Sequence, residues 1–308
     1  MRALVTGADG FVGRWLTEHL EASGDEVWQA TGTHAGNGPR RRQLDLRDDA
    51  SVREVLAWAS PEAIYHLAAV SFGPDASGDI GHAVDVTVRG TAFTLEAAAR
   101  LTKPPTVLIP SSSEVYGAPP EGGMIDETQP LAPVSPYGAT KVAQEALGLA
   151  YHRSGAIPVV VARAFNHIGP GQRDSFVVPS FAAQLAEIAA ARTEPVVRVG
   201  NLAAERDFSD VRDVVRAYRL LVAGGHSGAP FNVATGRAVA VSEILKTLIE
   251  LSGQQVEVVV DPARLRPIDV PAITGDSGRL RSLTGWQPGW ELRQTLQDVW
   301  ADAVARRA

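Results

Sequence analysis

The sequence predicts an α/β fold built on a parallel sheet, and three observations carry that prediction. A short apolar, β-rich run, Ala3 to Thr6, enters a glycine turn, Gly7-Ala-Asp-Gly10-Phe-Val-Gly13, and leaves it as a helical pattern from Arg14 to Ala22. Apolar runs then alternate with helical stripes as far as Arg163. A serine-rich segment, Ser111 to Tyr116, follows one of those runs and so falls at the carboxyl edge of the sheet, where open α/β folds bind ligands.

Composition narrows the class. At 308 residues the chain exceeds the usual single-domain size, so a large domain with a lobe, or two domains, is expected. With 29 Lys+Arg against 35 Asp+Glu it lacks the basic excess that meets nucleic-acid phosphates. The absence of cysteine excludes disulfides, thiol nucleophiles and Cys-ligated metals, and no metal site is expected. No apolar run approaches the roughly 18 residues of a membrane span. A soluble, cytoplasmic protein with neither nucleic-acid nor membrane partners is expected.

In the first unit, Phe11, Trp15, Leu16 and Leu20 form one stripe. Strand, glycine turn and helix stand in the order that holds a dinucleotide pyrophosphate, the plain alternative being an ordinary βα turn: Gly7 for the tight turn, Gly10 for close approach, Gly13 for helix packing, with Phe11 and Val12 in the same turn. Glu26 to Ala30 reads as the second strand. An NAD site wants Asp or Glu at its end for the ribose hydroxyl, yet Thr31-Gly-Thr-His34 stands there, with Arg40, Arg41 and Arg42 behind. This favours NADP(H), with Thr31 and Arg42 as contacts, and leaves NAD(H) open; the plain alternative is a solvated arginine face.

Gln43-Leu-Asp45-Leu46 reads as a short third strand that brings Asp45 and Leu46 to the adenine, and Asp49 to Trp58 as a helix. Ala63 to Ala69 is a buried strand whose last residues, Leu67, Ala68 and Ala69, let a cofactor lie flat; His66 inside it reads as a satisfied core histidine. The loop Ser71 to Gly81 is a candidate lid. A helix from His82 to Leu101, a strand from Thr106 to Ile109, a Pro/Gly-rich loop to Pro136, the Tyr137 helix and a strand from Ile157 to Arg163 follow. The helices at 82–101 and 137–154 carry apolar and small residues on more than one face, which suits a four-helix homodimer interface. Ser242 to Leu251, Val256 to Val260 and the turn Trp286 to Trp290 before a terminal helix read as scaffold.

The chemistry centres on Tyr137 and Lys141. Four residues apart on a helix, they share a face, with an ammonium beside a phenol. A free phenol near pKa 10 gives up its proton poorly at neutral pH, and a nearby cation is expected to lower that value. Ser112 supplies a second hydrogen bond to the same substrate oxygen, which makes this a carbonyl/alcohol site. The plain alternative is a solvated lysine beside a half-buried tyrosine.

Six motifs occur in a telling order: GADGFVG (7–13), DLRD (45–48), HLAA (66–69), SSSEVYG (111–117), YGATK (137–141) and RDFSDVRD (206–213). Through them the chain resembles the extended short-chain dehydrogenase/reductase family, in its nucleotide-sugar epimerase/dehydratase branch. The resemblance implies a Rossmann-type, doubly wound parallel sheet over 1–165, rejoined by 207–235. It also implies a smaller C-terminal α/β substrate-binding lobe over 166–206 and 236–308. Ser112, Tyr137 and Lys141 match the family's catalytic triad. Thr87 departs from the pattern, since the family often has Asn there.

The second half resembles GDP-4-dehydro-6-deoxy-D-mannose reductases, which make GDP-D-rhamnose, through Asn166-His-Ile-Gly-Pro-Gly-Gln172, Val199 to Asp207 and Arg264 to Pro271. GDP-mannose 4,6-dehydratases usually read Asn-His-Glu-Ser-Pro-Arg at the first of these. The resemblance implies a GDP-linked 6-deoxy-4-keto sugar as partner, with Ser113, Glu114, Asn166, Asn201, Arg206, Arg266 and Asp269 as its contacts; arginine suits the diphosphate. The plain alternatives are a surface pair of Arg206 with Asp207, and solvated Arg279 and Arg281. The expected reaction is hydride transfer from NADPH to the C4 ketone with Tyr137 as proton donor. Glu114 matches the dehydratases' C5 base, so a 4,6-dehydratase stays open, as do a 4-epimerase and a non-catalytic nucleotide-binding regulator.

Overall fold

Strands β1 (Arg2–Thr6), β4 (Ala63–His66) and β6 (Val159–Ala164) are almost wholly buried, as parallel strands covered by helices on both faces must be. The computed structural model describes residues 1–32, 38–70, 78–118, 123–265 and 270–307. With β2 (Glu26–Thr31), β3 (Arg41–Gln43), β5 (Thr106–Ser112) and β10 (Pro230–Val233) these strands form one seven-stranded sheet, ordered β10-β6-β5-β4-β1-β2-β3. Every neighbouring pair in it is parallel. The order reverses at β1, which lies between β2 and β4, and that reversal opens a crevice at the strands' carboxyl ends.

Helices α1 (Phe11–Ala22) and α7 (Val211–Ala223) cover one face, sharing a core of Leu16, Leu20, Tyr65, Val214 and Tyr218. On the other face lie α2 (Asp49–Ala59), a long helix and α5 (Pro136–Arg153). The long helix runs as α3 (Ile80–Ala83), a wider π-helical stretch (Val84–Arg89) and α4 (Gly90–Ala99). The stretch contains Thr87, whose hydroxyl accepts from Val70 N at 3.2 Å; in this chain Thr87 serves as a backbone anchor.

The lobe has its own core, including Phe181, Leu185, Val197, Leu245 and Val299, between α6 (Val177–Ala189), α8 (Val241–Ser252) and α10 (Leu292–Ala305). Its central strand is β9 (Glu205–Asp210), flanked by β7 (Asn166–Ile168), β11 (Ala238–Ala240) and β13 (Ala272–Ile273). Strand β8 (Val196–Val199) pairs separately with β12 (Glu257–Val260).

Some expected boundaries move. β3 spans 41–43, ahead of the expected 43–46; Leu44 and Leu46 are buried as loop residues. β4 ends at His66, so Leu67 to Ala69 are half-buried exit residues. The chain rejoins the large sheet's layer at Val211 and not at 207, because 205–210 pair within the lobe sheet. Leu280 in α9 (Gly278–Thr284) and Trp286 also pack into the first core. Among the described residues no helix is long and apolar enough to cross a membrane.

Candidate active site

The site starts where β5 runs out. Ser112 ends that strand and caps a 3-10 turn, Ser113–Tyr116, its hydroxyl accepting from Glu114 N at 3.2 Å. Ser113 and Tyr116 are buried beneath the turn, while Ser112 and Glu114 stay half-exposed. The Ser135 hydroxyl donates to Glu114 Oε2 at 2.7 Å and accepts from Gly138 N at 3.0 Å. Ser135 is thus the N-cap of α5, with Pro136 in the first turn, and it ties the Glu114 turn to the helix that presents Tyr137.

Tyr137 and Lys141 occupy successive turns of α5, and the Lys141 Nζ lies 6.0 Å from the centre of the Tyr137 ring. One expectation is overturned here. The phenol pKa is not depressed by the ammonium; burial and the Glu114 carboxylate push it above the ordinary tyrosine value, against a smaller lowering effect of the Ser112 hydroxyl. Lys141 Nζ donates to Pro110 O and Gln144 Oε1, both at 2.9 Å. Burial lowers its own pKa to about 8, opposed by the charge of Glu145.

Opposite stands the glycine turn. Gly7 has φ +67°, and a Cβ there would lie 3.0 Å from Ala68 N; a Cβ on Gly13 would lie 2.2 Å from Gly7 O. The turn therefore packs directly on the exit of β4. Helix α1 begins at Gly10 with no side-chain cap, so its first N–H groups point into the crevice with no cap of their own. Phe11 stacks on His167, ring centres 6.2 Å apart, while Arg14 donates to Gly171 O at 2.9 Å and Trp15 to Pro170 O at 3.0 Å. These contacts seat the 166–172 motif on α1.

The adenosine side differs from expectation. Thr31 is fully buried at the end of β2, and Leu46 is buried against Gly90. Asp45, expected at the adenine, is held by Arg47 through N–H and guanidinium contacts of 2.8 to 2.9 Å, which bring its pKa down to about 2. Arg42 is turned onto α2, 4.7 Å above the Trp58 ring and 3.4 Å from Glu54. It is Arg41 that lines a cleft of about 400 Å³ together with Ala8 and Asp9 of the glycine turn. Thr33, His34 and most of the expected lid, Ser71 to Gly81, lie outside the described residues.

On the sugar side, Asn166 is exposed on β7, which pairs with β9, the strand carrying Arg206. Arg206 donates to Glu205 O at 2.8 Å, and Asn201 Oδ1 accepts from Ala203 N at 2.9 Å. Arg206 and Asp207 do not form the surface pair; adjacent strand residues face opposite sides. Asp207 is buried, accepting from Thr235 N at 2.8 Å, Gly236 N at 2.9 Å and Gly275 N at 3.3 Å. Nor are Arg279 and Arg281 merely solvated: they donate to Pro230 O and Thr235 O at 3.1 and 2.8 Å. Arg266 and Asp269 lie outside the described residues.

The family described as GDP-mannose 4,6 dehydratase matches residues 4–299. The chain belongs to that family. It is 34% identical over 307 residues to the GDP-6-deoxy-D-mannose reductase of Pseudomonas aeruginosa, covering 99% of this chain and 98% of that one. Its fold matches RMD from Pseudomonas aeruginosa complexed with NADPH, with a TM-score of 0.89 at 32% identity over 99% of this chain and 100% of the other. It also matches DesIV, a dTDP-glucose 4,6-dehydratase from Streptomyces venezuelae with NAD and TYD bound, at 0.86 and 26% identity over 100% and 98%. As a member of this family the chain is an extended short-chain dehydrogenase/reductase with a Rossmann-like sheet.

Sequence reasoning missed four residues that organise the site. Ser135 holds Glu114, and Gln144 holds Lys141. Glu145 and Arg163 form a buried ion pair, 2.8 Å, whose arginine donates to Tyr116 Oη at 2.9 Å. Gln144 and Glu145 follow Lys141 at helical spacing, the one local signal available.

Proposed function

We propose that the protein is an NAD(P)H-dependent nucleotide-sugar 4-ketoreductase that converts GDP-4-dehydro-6-deoxy-D-mannose to GDP-D-rhamnose. The observation that carries this reading is the placement of Tyr137 on α5, one turn from Lys141 and beside the Ser112 end of β5 at the sheet's carboxyl edge. The phenol is protonated at neutral pH, and its proton can pass to a carbonyl oxygen that gains charge as hydride arrives.

The crevice suits a nicotinamide dinucleotide: the glycine turn leaves no room for side chains, α1 opens on it uncapped, and Ala68 and Ala69 line the facing exit. When bound, the dinucleotide supplies a hydride to the sugar C4. Ser112 holds the C4 oxygen, Tyr137 delivers its proton there, and Lys141 is the cation one turn away on the same helix. Gly7, Gly10, Phe11, Val12 and Gly13 cradle the pyrophosphate, while Asn166, Asn201, Arg206, Arg266 and Asp269 receive the GDP-sugar. NADPH is the favoured donor on the basic character of 40–42 and the NADPH-bound relative. Ile80 and Val84, exposed at 48% and 43%, support a homodimer through the long helix that carries them and α5.

Glu114 sustains a second reading. Its carboxylate is near enough to Tyr137 to raise the phenol's pKa, where a 4,6-dehydratase would use it as a C5 base. Its Oε2 is, however, engaged by Ser135. The test is NADPH absorbance with GDP-mannose pre-treated by a separate 4,6-dehydratase, beside untreated GDP-mannose. Oxidation only in the treated sample is expected, reduced about 10³-fold in Tyr137→Phe. A 4-keto product from untreated GDP-mannose, with no net NADPH consumed, would establish the dehydratase instead.

A further inference from the structure

Beneath Lys141 runs a buried hydrogen-bond chain that the proposed reaction does not itself require. Lys141 Nζ donates to Gln144 Oε1, and Gln144 Nε2 donates to Thr91 Oγ1 at 2.8 Å. Thr91 Oγ1 meets His66 Nε2 at 3.1 Å, and His66 Nδ1 meets Thr6 Oγ1 at 3.2 Å. Thr6 Oγ1 in turn accepts from Ala68 N at 3.2 Å, beside the glycine turn. Gln144 and Thr91 are fully buried.

Valence fixes the direction of every link. Thr91 has one hydroxyl hydrogen, and it goes to Thr87 O at 2.6 Å. Thr91 Oγ1 therefore accepts from both Gln144 and His66, which places the imidazole hydrogen on Nε2 and leaves Nδ1 to accept from Thr6. The imidazole is neutral, its pKa lowered to about 3 by burial and by Lys141. The Gln144 amide has a single workable orientation: its oxygen must face an ammonium that only donates, and its nitrogen a hydroxyl with no hydrogen left. Pro110 O and Gln144 Oε1 thus engage two ammonium hydrogens, and the third is left to point elsewhere.

We propose that Gln144 is a positioning residue for Lys141: its amide, braced by Thr91, anchors one ammonium hydrogen, thereby aims the remaining one and favours the charged lysine. The charged and titratable groups beside Lys141 are Tyr137 and Glu145 on α5 and His66 on β4; Arg163 on β6 pairs with Glu145, the turn packed on α5 carries Glu114, and the long helix packed on α5 carries His82, Asp85 and Arg89. Glu145 is paired with Arg163, Glu114 with Ser135, and Asp85 with Arg89. That leaves the Gln144 carbonyl as the ammonium's side-chain acceptor among the described residues.

The chain has three lysines, 103, 141 and 246, so protein labelled with ¹³C at lysine Cε lets Lys141 be titrated directly by NMR. The parent signal is expected to titrate near pH 8. Gln144→Met, of similar shape, should lower that midpoint by about one pH unit, the scale of one lost hydrogen bond to a charge, and Gln144→Glu should raise it. In the keto-sugar assay, which rests on the proposed reaction, Gln144→Met should lower kcat roughly tenfold with sugar KM unchanged. Midpoints equal to the parent's overturn the proposal, including when melting temperature falls, since Gln144 would then only fill space. If Gln144→Met does not fold, an unmoved midpoint in Gln144→Glu overturns it equally. Shifted midpoints in a protein whose parent ignores the keto sugar sustain this proposal and defeat the reductase reading instead.

Discussion

The two walls of the candidate site are held by different means. Lys141 is buried and gripped by a backbone carbonyl and by Gln144, itself locked to Thr91 and His66 in the core. Glu114 sits half-exposed on a 3-10 turn, gripped by Ser135, a hydroxyl it shares with the start of α5. The lysine wall is therefore as rigid as the core, whereas the carboxylate wall is only as rigid as one helix cap. A fixed charge suits a group that must be ready before substrate arrives; a carboxylate on a turn can follow the sugar.

Glu145 and Arg163 cross-tie these walls. Glu145 lies one turn beyond Lys141, and Arg163 reaches Tyr116 on the Glu114 turn, whose hydroxyl donates to Asn232 Oδ1 at 2.6 Å. Removing one partner of a buried pair strands the other charge, so Glu145→Gln should cost about 3 to 5 kcal/mol in urea unfolding. A double change, Glu145→Gln with Arg163→Met, should recover much of that loss. If the single change cost under about 1 kcal/mol, the walls would be independent of each other.

The lysine wall has an acid limit. The His66 pKa is near 3 in the folded protein against 6.5 ordinarily, so the folded state refuses a proton that the unfolded chain accepts. Above pH 6.5 both states are neutral and nothing is lost. As pH falls from 6.5 towards 3 the unfolded state gains, by on the order of 4 kcal/mol. His66→Gln should unfold with a flatter acid limb than the parent between those values; parallel limbs would place the acid sensitivity elsewhere.

At the carboxylate wall, Ser135→Ala removes a helix cap and the Glu114 contact together. The expected cost is roughly 2 kcal/mol, with the Lys141 titration unmoved. A shift in that titration would show that the walls communicate through the cap.

How much of this was readable in advance follows the same division. The glycine turn, the Tyr137–Lys141 spacing and the serine edge were legible because each is a local pattern tied to one element. His66 was legible as a core histidine because an apolar run encloses it. Gln144 and Thr91 touch across 53 positions and Arg163 and Tyr116 across 47, and contacts between distant segments leave no period in a sequence. The π-helical stretch at Val84–Arg89 likewise has no composition signal. The expected effect of Lys141 on Tyr137 failed because spacing places two residues on a face without showing the burial of the phenol or the Glu114 carboxylate beside it.

Arg41 and Arg42 show the same limit at its smallest scale. Adjacent on β3, they face opposite sides of the sheet. Arg42 is committed to Trp58 and Glu54, while Arg41, 3.5 Å from Gln29, faces the cleft shared with Ala8 and Asp9. Sequence alone had no means of choosing between them. If the cofactor's 2′-phosphate is met by this stretch, Arg41→Ala should raise the KM for NADPH about fivefold and leave that for NADH in place, a half-exposed contact being screened. Arg42→Ala should change neither by as much as twofold. The reverse ranking would mean that Arg42 leaves Trp58 when the cofactor binds, and equal KM values in both variants would put the phosphate contact outside β3.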